Sequence, residues 1–180
     1  MRIGIDLDDT ICRTTEIIHK KLEEYAKNIN LNPLDIMNDE SLKEEFFQKK
    51  LKEAYKEVEI KREVKEVIRR LRNKGNKIYI ITSRSDNYHG IDFTQITKDW
   101  FQKQNLEVDE MIFSVDGENK AKACKEYQID LMIEDNPYNY KKIRELGIKC
   151  ILYDDRGKFD LKQDYYTSWI EIEKYIERNH

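Results

Sequence analysis

The chain has 180 residues, 39% of them hydrophobic and 38% charged, with a net charge of −3 at neutral pH. That length suits one domain with a small insertion, and the apolar fraction supports a real core. The balance of charge excludes a general electrostatic pull toward nucleic acid or anionic membrane. No apolar run is long enough to span a bilayer, and no signal-peptide core follows Met1. Cys12, Cys124 and Cys150 are widely spaced and odd in number. They read as reduced thiols used for packing, which sets the expectation of a cytoplasmic protein. Two prolines and six glycines leave no room for a flexible linker.

In chain order, apolar runs with the look of buried parallel strands fall at Arg2–Leu7, Lys77–Thr82, Glu110–Ser114, Asp130–Glu134 and Ile148–Tyr153. Amphipathic stretches separate them. Val64, Val67, Ile68 and Leu71 keep helical spacing ahead of Gly75. Ile96 and Trp100 mark another helix, Ala121–Tyr127 a third, and Tyr140–Leu146 a fourth closed by Gly147. This alternation predicts an α/β fold, a Rossmann-like open parallel sheet of about five strands with helices on both faces.

One stretch breaks the rhythm. Between Arg13 and Ile60 the pattern holds two helical stripes, Ile18–Leu22–Tyr25–Ile29 and Phe47–Leu51–Ala54–Val58, with Asn32-Pro33 between them. The expected organisation is therefore a core of residues 1–12 and 61–180, with a helical cap at 13–60 inserted after strand one.

In open α/β sheets ligands bind beyond the C-terminal ends of the strands. Strand one leaves through Asp6-Leu7-Asp8-Asp9-Thr10, strand two through Thr82-Ser83-Arg84, and strand four through Glu134-Asp135. Lys120 opens the helix ahead of strand four. Carboxylates, hydroxyls and a lysine would thus converge on one sheet edge. Hard oxygen ligands beside a phosphate are what Mg²⁺ prefers, and a cation explains how clustered acids stay ionised. Asp6 and Asp8 sit at i and i+2, so on a strand both would face one side.

On these residues the chain resembles the haloacid dehalogenase superfamily of aspartate-nucleophile phosphotransferases. An apolar strand before Asp6-Leu7-Asp8-Asp9-Thr10 resembles that family's first motif, and Ile78–Thr82 resembles the second. Lys120 fits the third, with Lys122 and Lys125 as competitors, and Glu134-Asp135 the fourth. The resemblance implies Asp6 as nucleophile and Asp8 as general acid and base. It implies Mg²⁺ held by Asp6, Asp135 and the Asp8 backbone carbonyl, with Glu134 as a direct or water-mediated ligand. Thr82, Ser83 and Lys120 would hold phosphate, joined by Arg84. An acid at Asp8 is like the phosphatases and phosphomutases of the family.

The helical insertion, the run ITSR, and EDNP with Asn139 resemble the 5'(3')-deoxyribonucleotidases. The resemblance implies a small phosphate ester as partner, a nucleoside monophosphate first, with aromatic residues of the cap stacking on the base. Phe46 is the candidate for that stacking, against packing on the neighbouring cap helix, since it points about 100° away from the Phe47 stripe. Tyr88 and His89 read as loop residues. Sugar phosphates and 3'-phosphorylated nucleic-acid ends are the alternatives. Nucleic acid itself is disfavoured, because no aromatics interleave with the basic helix Lys61–Lys74. A homodimer is left open. A receiver-like phosphoacceptor module needs its acceptor after strand three, where Asp116 alone is available, and its lysine after strand five. The order here is different.

Overall fold

A computed structural model describes residues 1–88, 90–113, 117–157 and 165–179. Six parallel strands form one sheet: β1 (Arg2–Ile5), β2 (Lys77–Thr82), β3 (Glu110–Phe113), β4 (Leu131–Glu134), β5 (Lys149–Tyr153) and β6 (Tyr165–Tyr166), in the order β3-β2-β1-β4-β5-β6. The expected five are present. β6 is the addition, and two residues are too short to leave a periodic signal.

The faces alternate along each strand, as the pleat requires. Ile3, Ile5, Ile78, Ile80, Leu131 and Ile133 lie in one apolar cluster with α4 (Val64–Asn73) and α8 (Trp169–Arg178). Tyr79, Ile81, Met132 and Cys150 lie in the other with α6 (Gly117–Glu126) and α7 (Pro137–Glu145). A Cβ at Gly4 would come within 2.7 Å of the Met132 sulfur and 3.1 Å of an Ile129 methyl, so a larger residue there would make these side chains shift. α4 and α8 are joined at their outer edges by Arg70, which donates to both carboxylate oxygens of Glu173 at 2.7 Å.

Three helices follow β1 where two stripes were expected: α1 (Thr14–Asn28), α2 (Pro33–Asn38) and α3 (Glu40–Glu57). Asn32 caps α2 and Asp39 caps α3, so the Asn32-Pro33 break opens a short helix of its own. Leu22, Tyr25, Ala26, Ile36 and Phe46 form a small core among them. A further cluster of Leu51, Phe93 and Ile96, with Phe47 and Tyr55 against it, joins α3 to α5 (Phe93–Gln104). The chain enters and leaves this unit side by side. Arg13 N donates to Glu59 O at 2.9 Å, and Lys61 N to Ile11 O at 2.8 Å.

Cys12, Cys124 and Cys150 are all buried with free thiols. No helix among the described residues is long and apolar enough to cross a membrane.

Candidate active site

The strand order reverses direction at β1, which pairs with both β2 and β4. Ligands gather at such a switch point. Asp6 N donates to Ile133 O at 2.9 Å, so the β1–β4 ladder runs one residue past β1 and sets Asp6 beside the acidic end of β4. α6 delivers Lys120 from the other direction. It is 2% exposed, with Nζ 2.5 Å from Asp6 Oδ1 and 3.0 Å from Glu134 Oε2. Lys122 and Lys125 are exposed on the outer side of the same helix, which settles the competition for that place. Thr10 donates to the other Asp6 oxygen at 3.0 Å. Glu134 Oε1 accepts from Asn136 N at 3.1 Å and Asn139 Nδ2 at 3.3 Å.

Asp6, Glu134 and Asp135 each bring a carboxylate oxygen within 4.8 Å of the others. Like charges about 4 Å apart repel by roughly 4 kcal/mol at an effective dielectric of about 20. Lys120 supplies one positive charge among three negative ones. Burial and the neighbouring Glu134 push the Asp6 carboxyl well above its usual range. The same two causes, with Asp9 added, push Asp135 up to about 7. Burial works against the Lys120 ammonium, but Asp6 and Glu134 outweigh it and hold its pKa above the ordinary value. Three hard oxygen donors gathered at one edge fit a small divalent cation.

Asp8 belongs to a second arrangement. β1 ends at Ile5, so Asp6 and Asp8 both lie just past the strand, with Asp8 bridged to Cys12 and close enough for its charge to act on Asp6. Its carboxylate faces Arg84, whose Nη2 lies 2.7 Å from Oδ1 and Nε 3.1 Å from Oδ2. The Thr14 hydroxyl donates to the same carboxylate. Burial opposes ionisation of Asp8, but the Arg84 charge and these hydrogen bonds outweigh it and hold the carboxyl below its usual range. Arg84 is 5% exposed, and its remaining Nη1 donates to Thr97 Oγ1 at 3.0 Å. Its guanidinium lies 4.0 Å from the Tyr55 ring centre. Arg84 was expected to join the phosphate-binding residues; here its nitrogens are turned to Asp8 and Thr97. A buried guanidinium needs a counter-ion and full hydrogen bonding, and Asp8 and Thr97 already provide both.

Thr82 ends β2 fully buried, its hydroxyl accepting from Arg84 N at 3.3 Å. Ser83 is exposed. A cavity of about 270 Å³ opens beside Asp8, bounded by Ser83, Arg84, Phe47, Tyr55, Tyr88 and Phe93. Phe46 is not part of it. At 1% exposure it packs between Tyr25 and Phe47, with ring centres 5.6 and 5.4 Å away. Phe47, the next residue around the helix, borders the cavity instead. His89 and Asp116 lie outside the described residues.

Further charged groups lie near the same edge, and of these Lys61, Asp155 and Arg156 escaped the sequence reading. Asp9 has a left-handed backbone (φ 59°), accepts from Thr15 N at 3.0 Å, and pairs with Arg156 at 2.7 Å. Lys61 is buried and pairs with Asp155 at 2.7 Å. Reading the exit of β5 by the rule used for the other strands would have singled out Asp154-Asp155-Arg156. Thr97 and Tyr55 carry no such signal.

No protein-family model matches the chain. A nucleotidase of Clostridium acetobutylicum is 26% identical over 194 residues, covering 99% of this chain and 94% of that protein. A haloacid dehalogenase-like hydrolase from Streptococcus pneumoniae superposes with a TM-score of 0.72 at 13% identity, covering 98% of each chain. The chain has the fold of the haloacid dehalogenase-like hydrolases. A haloacid dehalogenase phosphatase from Thermococcus onnurineus also superposes, with a TM-score of 0.65 at 12% identity over 97% of each chain. In this haloacid dehalogenase fold, Asp6, Lys120, Glu134 and Asp135 meet at the sheet edge where the four motifs were expected to converge.

Proposed function

We propose that the chain is a Mg²⁺-dependent phosphomonoesterase that forms an aspartyl-phosphate on Asp6 and acts on nucleoside or deoxynucleoside monophosphates. The contact of Lys120 with Asp6, inside the cluster completed by Glu134 and Asp135, carries this reading. In it, residues 1–12 and 61–180 are the catalytic core and 13–60 the cap. A cytoplasmic setting with reduced cysteines belongs to the same reading.

Asp6 and Asp135, with the Asp8 backbone carbonyl, would hold Mg²⁺, and Glu134 would add to the site directly or through water. Bound there, Mg²⁺ supplies positive charge to the phosphoryl group in transfer. An Asp6 carboxylate oxygen bonds to phosphorus as the ester P–O bond breaks, and a proton that Asp8 has taken up from water passes to the departing alkoxide. Water then loses a proton to Asp8 and bonds to phosphorus as the Asp6–phosphorus linkage breaks, releasing inorganic phosphate. Lys120 and Thr82 hold the equatorial oxygens, with Ser83 at the rim.

For the substrate, the cavity beside Asp8 offers flat aromatic walls at Phe47, Tyr55, Tyr88 and Phe93. Such walls suit a nucleobase better than a sugar. The name of the 26% identical relative agrees. A phosphate-release screen with Mg²⁺ tests this, run across deoxynucleotides, ribonucleotides, sugar phosphates and 3'-phosphorylated oligonucleotides. The expected order puts nucleoside monophosphates first. Preference for an oligonucleotide end or for a sugar phosphate would overturn the substrate, and no release from any ester would overturn the activity.

A further inference from the structure

We propose that Arg84 is the positioning residue of Asp8: its nitrogens are given to Asp8 and Thr97 rather than to the phosphate, and it fixes the orientation of the carboxyl that serves the leaving group. The inference rests on the phosphatase reading above. Each nitrogen of the guanidinium has a protein partner. Nε and Nη2 hold the two Asp8 oxygens, and Nη1 holds Thr97 Oγ1, whose own hydroxyl donates to Phe93 O at 2.7 Å. The Cys12 sulfur lies 4.0 Å from Nη2. Tyr55 covers the face of the plane at 4.0 Å, and its own ring is held edge-on by Phe93 at 4.7 Å. A planar fork in a socket of this kind orients a carboxylate as no flexible ammonium can.

The socket is assembled from three parts of the chain. Asp8 comes from the turn after β1, Thr97 from α5, and Tyr55 from α3 of the insertion. The insertion therefore reaches the acid/base residue through Arg84. In the first chemical step, the Asp6–phosphorus bond forms, the ester P–O bond breaks, and the departing oxygen takes a proton that Asp8, a carboxylate paired with Arg84 in the free protein, has first taken up from water. A misplaced Asp8 would spoil only the last of these events. Its loss matters for an alkyl leaving group and little for an acidic phenol, which departs as the anion.

Arg84→Lys, Arg84→Gln, Thr97→Val and Tyr55→Leu would be compared with the unaltered chain by rapid-mixing kinetics, using thymidine 5'-monophosphate and p-nitrophenyl phosphate. Thermal melts identify any variant that fails to fold, and Thr97→Val removes only one anchor of the guanidinium. For the nucleotide, Arg84→Lys is expected to slow alcohol release about 10- to 100-fold, within the usual worth of positioned acid catalysis. The first burst of p-nitrophenol should stay within about threefold, and KM should hold for both esters. Thr97→Val should show the same split with a smaller loss, and Tyr55→Leu should add to that split a raised KM for the nucleotide alone, because its ring also borders the cavity. Added guanidinium should restore part of the nucleotide rate in Arg84→Gln. Equal loss of both bursts, or a raised KM for both, would mean that Arg84 grips the phosphate and would overturn the inference. Unchanged kinetics in every folded variant would overturn it too. If the unaltered chain hydrolyses neither ester, the phosphatase reading itself fails.

Discussion

Lys120 Nζ lies 2.5 Å from Asp6 Oδ1, although 114 positions separate them in the chain. In the proposed reaction the ammonium would serve two ends at once, partnering the attacking carboxylate and presenting charge to the phosphoryl group. Replacing it by Met keeps much of the volume and removes the charge. Turnover should fall by about 10²–10³-fold, the scale of losing one donor that stabilises transition-state charge. The metal-free protein should also melt earlier, because Asp6 and Glu134 lose their buried partner. Added Mg²⁺ should recover part of the melting temperature and little of kcat.

Asp6 and Asp8 are separable by their intermediates. Asp6→Asn leaves no carboxylate to attack, so turnover should vanish for every ester. Asp8→Asn keeps the nucleophile and the backbone carbonyl, and should lose roughly 10²–10⁴-fold on a nucleotide. Its phosphoenzyme should accumulate, since the water step lacks its base. Borohydride trapping and mass spectrometry should then place the label on Asp6. A label on Asp9 or Asp135 would assign the nucleophile elsewhere.

The metal-free protein should become less stable as pH rises toward 8. Asp135 titrates near 7 in the fold and near 4 in an unfolded chain. A carboxyl raised in the folded state contributes stability that is fully present below its unfolded pKa, and that contribution is lost as pH climbs through the folded one. Melting curves in EDTA between pH 5 and pH 8 should show the decline. Asp135→Asn should flatten it, and saturating Mg²⁺ should reverse most of it, since binding to the native state alone adds stability. A flat profile in EDTA for the unaltered chain would contradict the charge cluster.

Two adjacent phenylalanines should behave oppositely. Phe46 fills the small core among α1–α3, so Phe46→Ala should cost about 3–5 kcal/mol of stability, read by urea unfolding. Phe47 borders the cavity next to Asp8. Phe47→Ala should raise KM for nucleotides with a smaller loss of stability, and should leave KM for a simple alkyl phosphate nearly unchanged.

The sheet and its acidic edge were legible because both depend on local pattern. Apolar runs mark buried parallel strands, and the residues leaving them mark the site. Asp6, Lys120, Glu134 and Asp135 were found in this way, and they do meet. The partners of Asp8 were not legible. Arg84 comes to Asp8 from 76 positions away, and only packing tells a guanidinium turned to a carboxylate from one turned to a ligand. The choice between Phe46 and Phe47 hung on one step of helical rotation, with apolar surroundings offered on both sides. α8 went unread despite a visible start signal, the Ser168–Glu171 capping box, which the structure forms in full.

The paired strands of chain at Arg13–Glu59 and Ile11–Lys61 bring both ends of α1–α3 to a single doorway. Closing a loop whose ends already touch depends only weakly on the loop's length. The insertion can accordingly lengthen, shorten or be exchanged with little entropic consequence for the sheet beneath it. A lineage built on such a doorway can change what its members recognise while the carboxylates and lysine below stay where they are.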